Sequence, residues 1–422
     1  MLKGARNKIQ NLSGYLFWGA MGILLILGMC LFGLDGKRLI GIILLEVLAV
    51  VMHICKMQKD PNYIKHILGL QSGKDRIHEY DWLRIFAVVM VIITHAIQID
   101  LANGRIQDEH WVYILTVLYV FCMACNVVYV MLSGALLMPF KEESLTAFYL
   151  HRAARILLPM LVYFVFCLWF NNELVHINFT AVKDIIDRLF TGGLPEAPHY
   201  WMVYTVLGIY IIVPFFRYMF CNMPYKTLTA MVVISGIFMY FTTYSPIPCA
   251  VNPILSSWIG IAVAGYWVIR KETRKYDRLL IAAALVSFGI TIYYIKNKED
   301  FLEICCNCSP TMLLISLGLF SIVFSFPKLF SKERPLLRIL GKYSYSLILI
   351  HWNIICLITK ETLHIYTDQY YYVGGILLSL VVTITLSFIA AFLIDNMVVV
   401  VITELYHRTI KFCQKLYDNL SL

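Results

Sequence analysis

Residues 81–96 read DWLRIFAVVMVIITHA, an apolar run interrupted by Asp81 and Arg84 near its start and by His95 near its end. An α-helix turns about 100° and rises about 1.5 Å per residue, so the eleven steps from Arg84 to His95 make just over three full turns. Both side chains therefore lie on one helix face, roughly 16 Å apart along the axis. Titratable groups at such depth in a bilayer are costly and usually face a water-filled cavity or another helix. This stretch predicts a membrane-spanning helix that carries chemistry.

The composition of the whole chain agrees with a membrane protein. Its 422 residues are 60% hydrophobic and 14% charged, and the mean hydropathy is +0.74. Soluble domains carry about 25% charged residues. Apolar runs long enough to cross a bilayer occur near 13–34, 38–57, 82–101, 111–138, 149–170, 200–221, 226–245, 252–270, 279–296, 309–326, 343–361 and 372–402. Because each span needs about 20 residues, these runs predict twelve helices.

We therefore expect an all-α fold, a polytopic transmembrane helix bundle with a ten-helix body and two extra N-terminal helices. The chain divides into a two-helix N-terminal membrane extension at 1–57, a basic cytoplasmic connector at 58–79, the body at 80–405 and a cytoplasmic C-terminal tail at 406–422. Every second loop is rich in Lys and Arg, which places both termini in the cytoplasm. The net charge of +9 is scattered over these short loops, so no nucleic-acid partner is expected.

Two interpretations fit the polar residues of the first stretch. Asp81 lies one turn from Arg84, and the two could simply pair where Arg84 reaches the membrane surface. His95 could be satisfied as a core residue by Thr94 and by backbone carbonyls. A desolvated imidazole tends to stay neutral, however, which suits a general base or a metal ligand. We favour a functional role for His95.

Further candidates lie at the ends of later spans. Arg152 and Arg155 share a helix face and could grip phosphate or carboxylate, although positive-inside anchoring explains them equally well. Pro159 is expected to kink that helix. His199 and Trp201 lie at a predicted outer edge, where an aromatic belt alone would account for Trp201. His351 is another buried titratable group within a span.

Several classes of site are not indicated. The sequence contains no P-loop, no Rossmann glycine pattern, no zinc-ligand spacing and no GxSxG elbow, so a nucleotide hydrolase or soluble-type serine hydrolase is not expected. Cys122 and Cys125 form a CxxC inside a predicted span, where packing is favoured over zinc or redox chemistry. An outer-loop disulfide is left open among Cys305, Cys306, Cys308 and Cys249.

Taken in order, these motifs resemble the acyltransferase-3 family of bacterial integral-membrane acyltransferases. Asp81-x-x-Arg84-x10-His95 is similar to the first-helix signature of that family. The remaining similarities follow in the family's order: Ser133-Gly134, Arg152-x-x-Arg155, His199-Tyr200-Trp201 and the segment SYSLILIH, which ends at His351. The similarity covers roughly 80–405, and the two leading helices lie outside it. Ile348 stands where many relatives have tyrosine.

The resemblance implies an O-acyltransferase that moves an acyl group, usually acetyl, from cytoplasmic acyl-CoA to a hydroxyl. The implied acceptor is a cell-envelope polysaccharide or its lipid-linked precursor. The implied site has His95 as the catalytic residue, binds the donor with Arg84, Arg152 and Arg155, and is supported by Asp81, His199, Trp201 and His351. Acetyl-CoA or another acyl-CoA is the expected donor, and no metal is expected.

The expected location is a bacterial cytoplasmic (inner) membrane, which the chain crosses many times. Membrane lipid and a carbohydrate acceptor are the expected partners, and a homo-oligomer is left open. The alternative function is a transporter or permease for a small molecule or glycan precursor, because twelve helices with buried charges are compatible with transport. No inverted repeat supports that alternative.

Overall fold

A computed structural model describes residues 2–31, 36–60, 62–70, 76–139, 142–171, 173, 179–244 and 257–420. Within these ranges every regular element is an α-, π- or 3₁₀-helix. The all-α prediction is therefore confirmed. The Gly-Ser-Lys part of the predicted connector, residues 71–75, and Cys249 lie outside the described residues.

The first half of the chain forms the N-terminal extension and the beginning of the body. Its α-helices are α1 Leu2–Leu31, α2 Gly36–Lys59, α3 Tyr63–Ile67, α4 His78–Ala102, α5 Glu109–Cys122, α6 Ala124–Leu137, α7 Leu145–Arg152, α8 Leu158–Phe170 and α9 Phe179–Thr191. A π-helical turn, Ala153–Leu157, joins α7 to α8, and a 3₁₀ turn, Pro198–Tyr200, leads into α10.

The second half completes the body and ends in a long amphipathic helix. Its α-helices are α10 Trp201–Asn222, α11 Tyr225–Tyr244, α12 Trp258–Val268, α13 Asp277–Asn297, α14 Phe301–Cys305, α15 Pro310–Ser325, α16 Pro327–Phe330, α17 Pro335–Asn353, α18 Val373–Ile394 and α19 Val400–Leu420. A 3₁₀ turn, Lys271–Tyr276, precedes α13, and π-helical segments Ile354–Thr362 and Asp395–Val399 follow α17 and α18.

The described helices are long and apolar enough for a protein that crosses the membrane many times. Eight helical segments meet the length and hydropathy of a span, and three shorter apolar helices lie among them. α17 with its π-helical continuation accounts for the predicted run at 343–361. Each of the twelve predicted runs overlaps a helix in the described ranges. The chain is thus a polytopic membrane helix bundle.

α4 lies at the centre of the body, where it packs against α5, α6, α17 and α18. α6 in turn packs closely along α12. Two glycines allow this approach: a Cβ at Gly134 would lie 1.8 Å from the carbonyl oxygen of Ala262, and one at Gly265 would lie 2.0 Å from that of Met131. Small residues at membrane helix contacts let backbones come together in this way.

Both helices of the N-terminal extension contact the body, and α1 does so through Phe17, whose ring centroid lies 6.5 Å from that of Phe392 in α18. α1 and α2 pack as a pair, and α2 contacts the π-helical segment Asp395–Val399 and α19. His53 of α2 stacks on Trp18 with ring centroids 3.7 Å apart. One of its ring nitrogens lies 2.6 Å from the carbonyl oxygen of Asn396, and the other lies 2.9 Å from the hydroxyl of Tyr63. The extension is therefore part of the same bundle.

Candidate active site

His95 lines a cavity inside the bundle, which we call the His95 cavity. It has a volume of about 200 Å³. Its walls come from α4, α5, α6, the start of α10 and the end of α17. The polar and aromatic side chains that line it are Thr94, His95, Gln98, Tyr119, Asn126, Tyr129, His199, Trp201, His351 and Trp352. An imidazole from the first predicted motif thus faces open space within a membrane helix bundle.

The His95 ring is oriented by a neighbour on its own helix. Gln98 lies one turn further along α4, and its Oε1 is 3.1 Å from His95 Nδ1. A carbonyl oxygen can only accept a hydrogen bond, so Nδ1 carries the proton and donates it to Gln98. Nε2 of the neutral ring then holds the lone pair, and it has no hydrogen-bond partner among the described residues. The ring is therefore set up to accept a proton at Nε2.

Two more histidines adjoin His95 and come from different elements. His351 lies near the end of α17, with its ring centroid 5.3 Å from that of His95. His199 lies in the 3₁₀ turn before α10, with its ring centroid 4.8 Å from that of His351. Trp352 closes the group, with its ring 5.0 Å from the His95 ring. The fold thus gathers three imidazoles that the sequence separates by more than a hundred residues.

Backbone carbonyls fix the tautomers of the two additional histidines. His351 Nδ1 donates to the carbonyl oxygen of Ile348 at 2.7 Å, and His199 Nε2 donates to that of Leu349 at 3.2 Å. The other ring nitrogens, His351 Nε2 and His199 Nδ1, are buried without a hydrogen-bond partner in the described part of the chain. Each can only accept a hydrogen bond, because its ring proton is already engaged. The histidine cluster is therefore suited to bind a ligand whose groups donate hydrogen bonds.

A second cavity, which we call the Arg84 cavity, adjoins the first. It has a volume of about 220 Å³ and includes Arg84 and Arg155 in its lining. Tyr129, Met202 and Ile348 line both cavities, so the two spaces meet across these three side chains. Arg84 and His95 lie on one face of α4, as their spacing predicts, but each faces its own cavity.

Asp81 holds Arg84 in place. Its carboxylate is buried and accepts hydrogen bonds from Arg76 at 2.8 and 2.9 Å and from Arg84 at 2.9 Å. Gly341 of α17 leaves room for this carboxylate, because a Cβ there would lie 3.0 Å from Asp81 Oδ1. Asp81 therefore orients Arg84 and does not line either of the two cavities.

A π-helical turn positions Arg155. Proline has no N–H and its ring clashes with the carbonyl four residues earlier, so Pro159 disturbs the helix at Arg155, as its position predicts. The helix widens there over Ala153–Leu157. Arg155 lines the Arg84 cavity and also a third cavity of about 470 Å³, whose lining includes Lys56 and Lys342. The lining of this third cavity thus holds the cations Lys56, Arg155 and Lys342 together with the carboxylates Asp395 and Glu404, and Glu404 pairs with Lys56 at 3.2 Å.

Arg152 lies behind this region. Its guanidinium carbon is 5.4 Å from the ring of Tyr210, a residue of the Arg84 cavity, and 5.0 Å from the ring of Phe148. It lines neither the His95 cavity nor the Arg84 cavity. The neighbouring His151 is exposed and hydrogen-bonds to Glu143 at 2.8 Å. That hydrogen bond lowers the pKa of the Glu143 carboxyl in the adjoining loop.

The structure therefore divides the residues predicted from sequence into groups. The His95 cavity brings together His95, His199, Trp201 and His351. The Arg84 cavity brings together Arg84 and Arg155, while Asp81 and Arg152 stand behind it. Sequence reasoning missed the lining residues Gln98, Asn126, Tyr129 and Trp352. The one-turn spacing from His95 could have identified Gln98, and Trp352 follows His351 directly. No comparable signal marks Asn126.

The described ranges contain no metal-binding cluster and no disulfide. No group of three or more His, Cys, Asp or Glu side chains there is arranged to hold a metal ion. The cysteines that the structure describes are free, including Cys122, Cys125, Cys305, Cys306 and Cys308. Cys249, the other cysteine for which a disulfide was left open, lies outside the described residues.

Comparison with known proteins identifies the family. The family model described as an acyltransferase domain, that of the acyltransferase-3 family, matches residues 77–392. No curated protein and no solved structure gives a significant match. The matched region contains α4 through most of α18, and with them both cavities. The chain belongs to the acyltransferase-3 family of membrane acyltransferases.

Proposed function

We propose that this protein is an O-acyltransferase that moves an acyl group, in the simplest case acetyl, from cytoplasmic acyl-CoA to a hydroxyl of a cell-envelope polysaccharide or its lipid-linked precursor. One observation carries the proposal. A cavity that contains a neutral base and a cavity that contains cations meet across Tyr129, Met202 and Ile348. Such an arrangement lets two substrates approach one point from different directions.

The donor is assigned to the Arg84 cavity. Coenzyme A carries several phosphates, and arginine binds phosphate through paired, charge-assisted hydrogen bonds. Arg84 and Arg155 line this cavity, and Lys56 and Lys342 line the adjoining one. Arg152, which contacts the ring of Tyr210 from outside the cavity, adds positive charge near the donor site. With the phosphates held there, the narrower pantetheine arm points toward His95.

His95 is proposed as the general base. Its Nε2 accepts the proton of the acceptor hydroxyl while the hydroxyl oxygen forms a bond to the thioester carbonyl carbon. The carbon–sulfur bond then breaks, and the imidazolium returns the proton to the departing sulfur. Asn126 is the proposed donor to the developing oxyanion, because it lines the cavity and its amide nitrogen has no hydrogen-bond partner among the described residues, whereas its amide oxygen accepts from Cys125.

The acceptor is assigned to the His95 cavity. His199, His351 and Trp201 line this space, and the histidines are poised to receive hydrogen bonds from hydroxyls. Sugars offer such donors and also apolar faces that stack on aromatic rings such as Trp201. We place the protein in a bacterial cytoplasmic membrane with both termini in the cytoplasm, so that acyl-CoA reaches the Arg84 cavity.

The test uses membrane vesicles from expressing cells and acetyl-CoA labelled in the acetyl group. His95→Ala should abolish transfer of label into the glycan fraction at unchanged protein level. His110→Ala is the matched control, because His110 is exposed at the start of α5 and lines neither cavity, and it should keep wild-type transfer. Undiminished transfer by His95→Ala would refute the proposal that His95 is the general base. Accumulation of a solute by vesicles without acyl-CoA would instead support transport.

A further inference from the structure

We infer that this acyltransferase selects donors with a short, uncharged acyl group, and that Ile348 sets the length limit. The inference rests on the proposed function, since it names the class of donor that the same site takes. Two independent features carry it. One is the junction formed by the three side chains that line both cavities, and the other is that no charged side chain lies among the described residues that line the His95 cavity.

The junction is formed by Tyr129 of α6, Met202 of α10 and Ile348 of α17, the three side chains that line both cavities. A thioester held from the Arg84 cavity must present its carbonyl carbon to His95 across this junction. Any further carbons of the acyl chain then have to fit in the 200 Å³ beyond it, beside the acceptor hydroxyl. Each added methylene therefore competes with the acceptor for the same space.

Ile348 is the junction residue best placed to control this length. It lies one turn before His351, and its carbonyl oxygen accepts the hydrogen bond from His351 Nδ1. Its side chain is β-branched and stiff, so it cannot move aside as a methionine can. Tyr129 is restrained as well, because its hydroxyl donates to the backbone carbonyl of Arg84 at 3.4 Å. A substitution of the Ile348 side chain changes the space at the junction, while the backbone carbonyl of residue 348 still accepts the hydrogen bond from His351.

The charge of the acyl group is restricted by the His95 cavity. Among the described residues that line it there is no Lys, Arg, Asp or Glu. The arginines lie on the other side of the junction, in the Arg84 cavity. A succinyl or malonyl donor would carry its second carboxylate past the junction into a space without a cation, and burial of an unpaired carboxylate is strongly unfavourable. An acetyl group meets neither obstacle, and a propionyl group adds only one methylene.

The experiment measures release of coenzyme A and transfer of acyl groups in expressing vesicles with acetyl-, propionyl-, butyryl-, hexanoyl- and succinyl-CoA. In the wild type we expect kcat/KM to fall from acetyl to hexanoyl, and succinyl-CoA to react roughly 100-fold or more slowly than acetyl-CoA. Ile348→Ala should raise the butyryl-to-acetyl ratio about 10-fold or more, because it removes three carbons at the junction. Succinyl-CoA should remain a poor donor for this variant.

Two further variants keep the result interpretable. Ile237→Ala is the matched control, because Ile237 is exposed on α11 and lines neither cavity, and its ratios should equal those of the wild type. Ile348→Phe should lower the propionyl-to-acetyl ratio, and ratios do not depend on how much protein folds. Equal ratios in Ile348→Ala, Ile348→Phe and wild type, or wild-type use of succinyl-CoA at the acetyl-CoA rate, would overturn the inference alone. Absence of transfer from every donor would overturn the proposed function as well.

Discussion

The hydrogen bond between Gln98 and His95 gives the most specific prediction about the site. Gln98→Leu removes the acceptor that holds the proton on His95 Nδ1, so the ring can rotate or adopt the other tautomer. A neutral hydrogen bond of this kind contributes roughly 0.5–1.5 kcal/mol, which corresponds to about a 2- to 13-fold decrease in kcat. The KM for acetyl-CoA should not change, because the donor is assigned to the Arg84 cavity.

The assay is steady-state transfer from labelled acetyl-CoA with purified protein in lipid vesicles that contain the acceptor fraction. Gln98→Glu serves as the rescue variant, because a carboxyl oxygen can still accept the hydrogen bond from Nδ1. We expect its kcat to exceed that of Gln98→Leu. Gln58→Leu is the matched control, since Gln58 lies exposed on α2 of the extension and should leave kcat unchanged.

Two results would refute this reasoning. A wild-type kcat in Gln98→Leu would show that the orientation of the His95 ring does not depend on Gln98. An increase in KM with unchanged kcat would assign Gln98 to substrate binding and leave the tautomer argument without support.

Three other predictions concern the packing, a buried ion pair and the donor. Gly134→Ala should lower the free energy of unfolding by about 1–3 kcal/mol, because the added Cβ would clash with a backbone oxygen of α12. Gly236→Ala is the control and should not destabilise, because a Cβ there would have no atom within 4 Å. Thermal unfolding in detergent checks both variants, and equal unfolding midpoints would contradict the close helix contact. Lys360→Met should lower the free energy of unfolding by about 3–5 kcal/mol, because it removes the cation 2.5 Å from the fully buried Asp100 carboxylate. In the same assay the double variant Lys360→Met, Asp100→Asn should recover part of that stability. No recovery would contradict the ion pair. Arg155→Gln should raise the KM for acetyl-CoA roughly 10-fold, because it removes a charged hydrogen-bond donor to phosphate. The KM for acetyl-pantetheine, which has no nucleotide phosphates, should not change. An equal rise in KM for both donors in transfer kinetics would exclude phosphate binding by Arg155.

Much of the fold could be predicted because bilayers impose simple demands. Spans must be apolar, helical and about 20 residues long, so each of the twelve apolar runs marks the place of a helix, and eight helical segments in the described ranges meet the length and hydropathy of a span. The sequence also predicts a disturbed helix at Pro159, and the structure has a π-helical turn there, Ala153–Leu157. The contact of α6 with α12 could not be predicted from the sequence, because nothing in the sequence shows that Gly134 and Gly265 lie where the two helix backbones come close together.

The site was predictable only as far as local spacing extends. The positions of Arg84 and His95 on one helix predict a shared face, yet they do not show that each residue lines a different cavity. The grouping of His199 and His351 around His95 depends on how three distant elements pack. The ion pair of Lys360 with Asp100 escaped prediction for the same reason, since a 260-residue separation carries no periodic signal.

The most direct test of the central claim measures donor binding and acetyl transfer in the same preparation of His95→Ala. If His95 is the base and the donor lies in the Arg84 cavity, the Kd for labelled acetyl-CoA should stay within about twofold of the wild type, while transfer should fall roughly 100-fold or more. Transfer at the wild-type rate, or loss of donor binding together with transfer, would contradict this account.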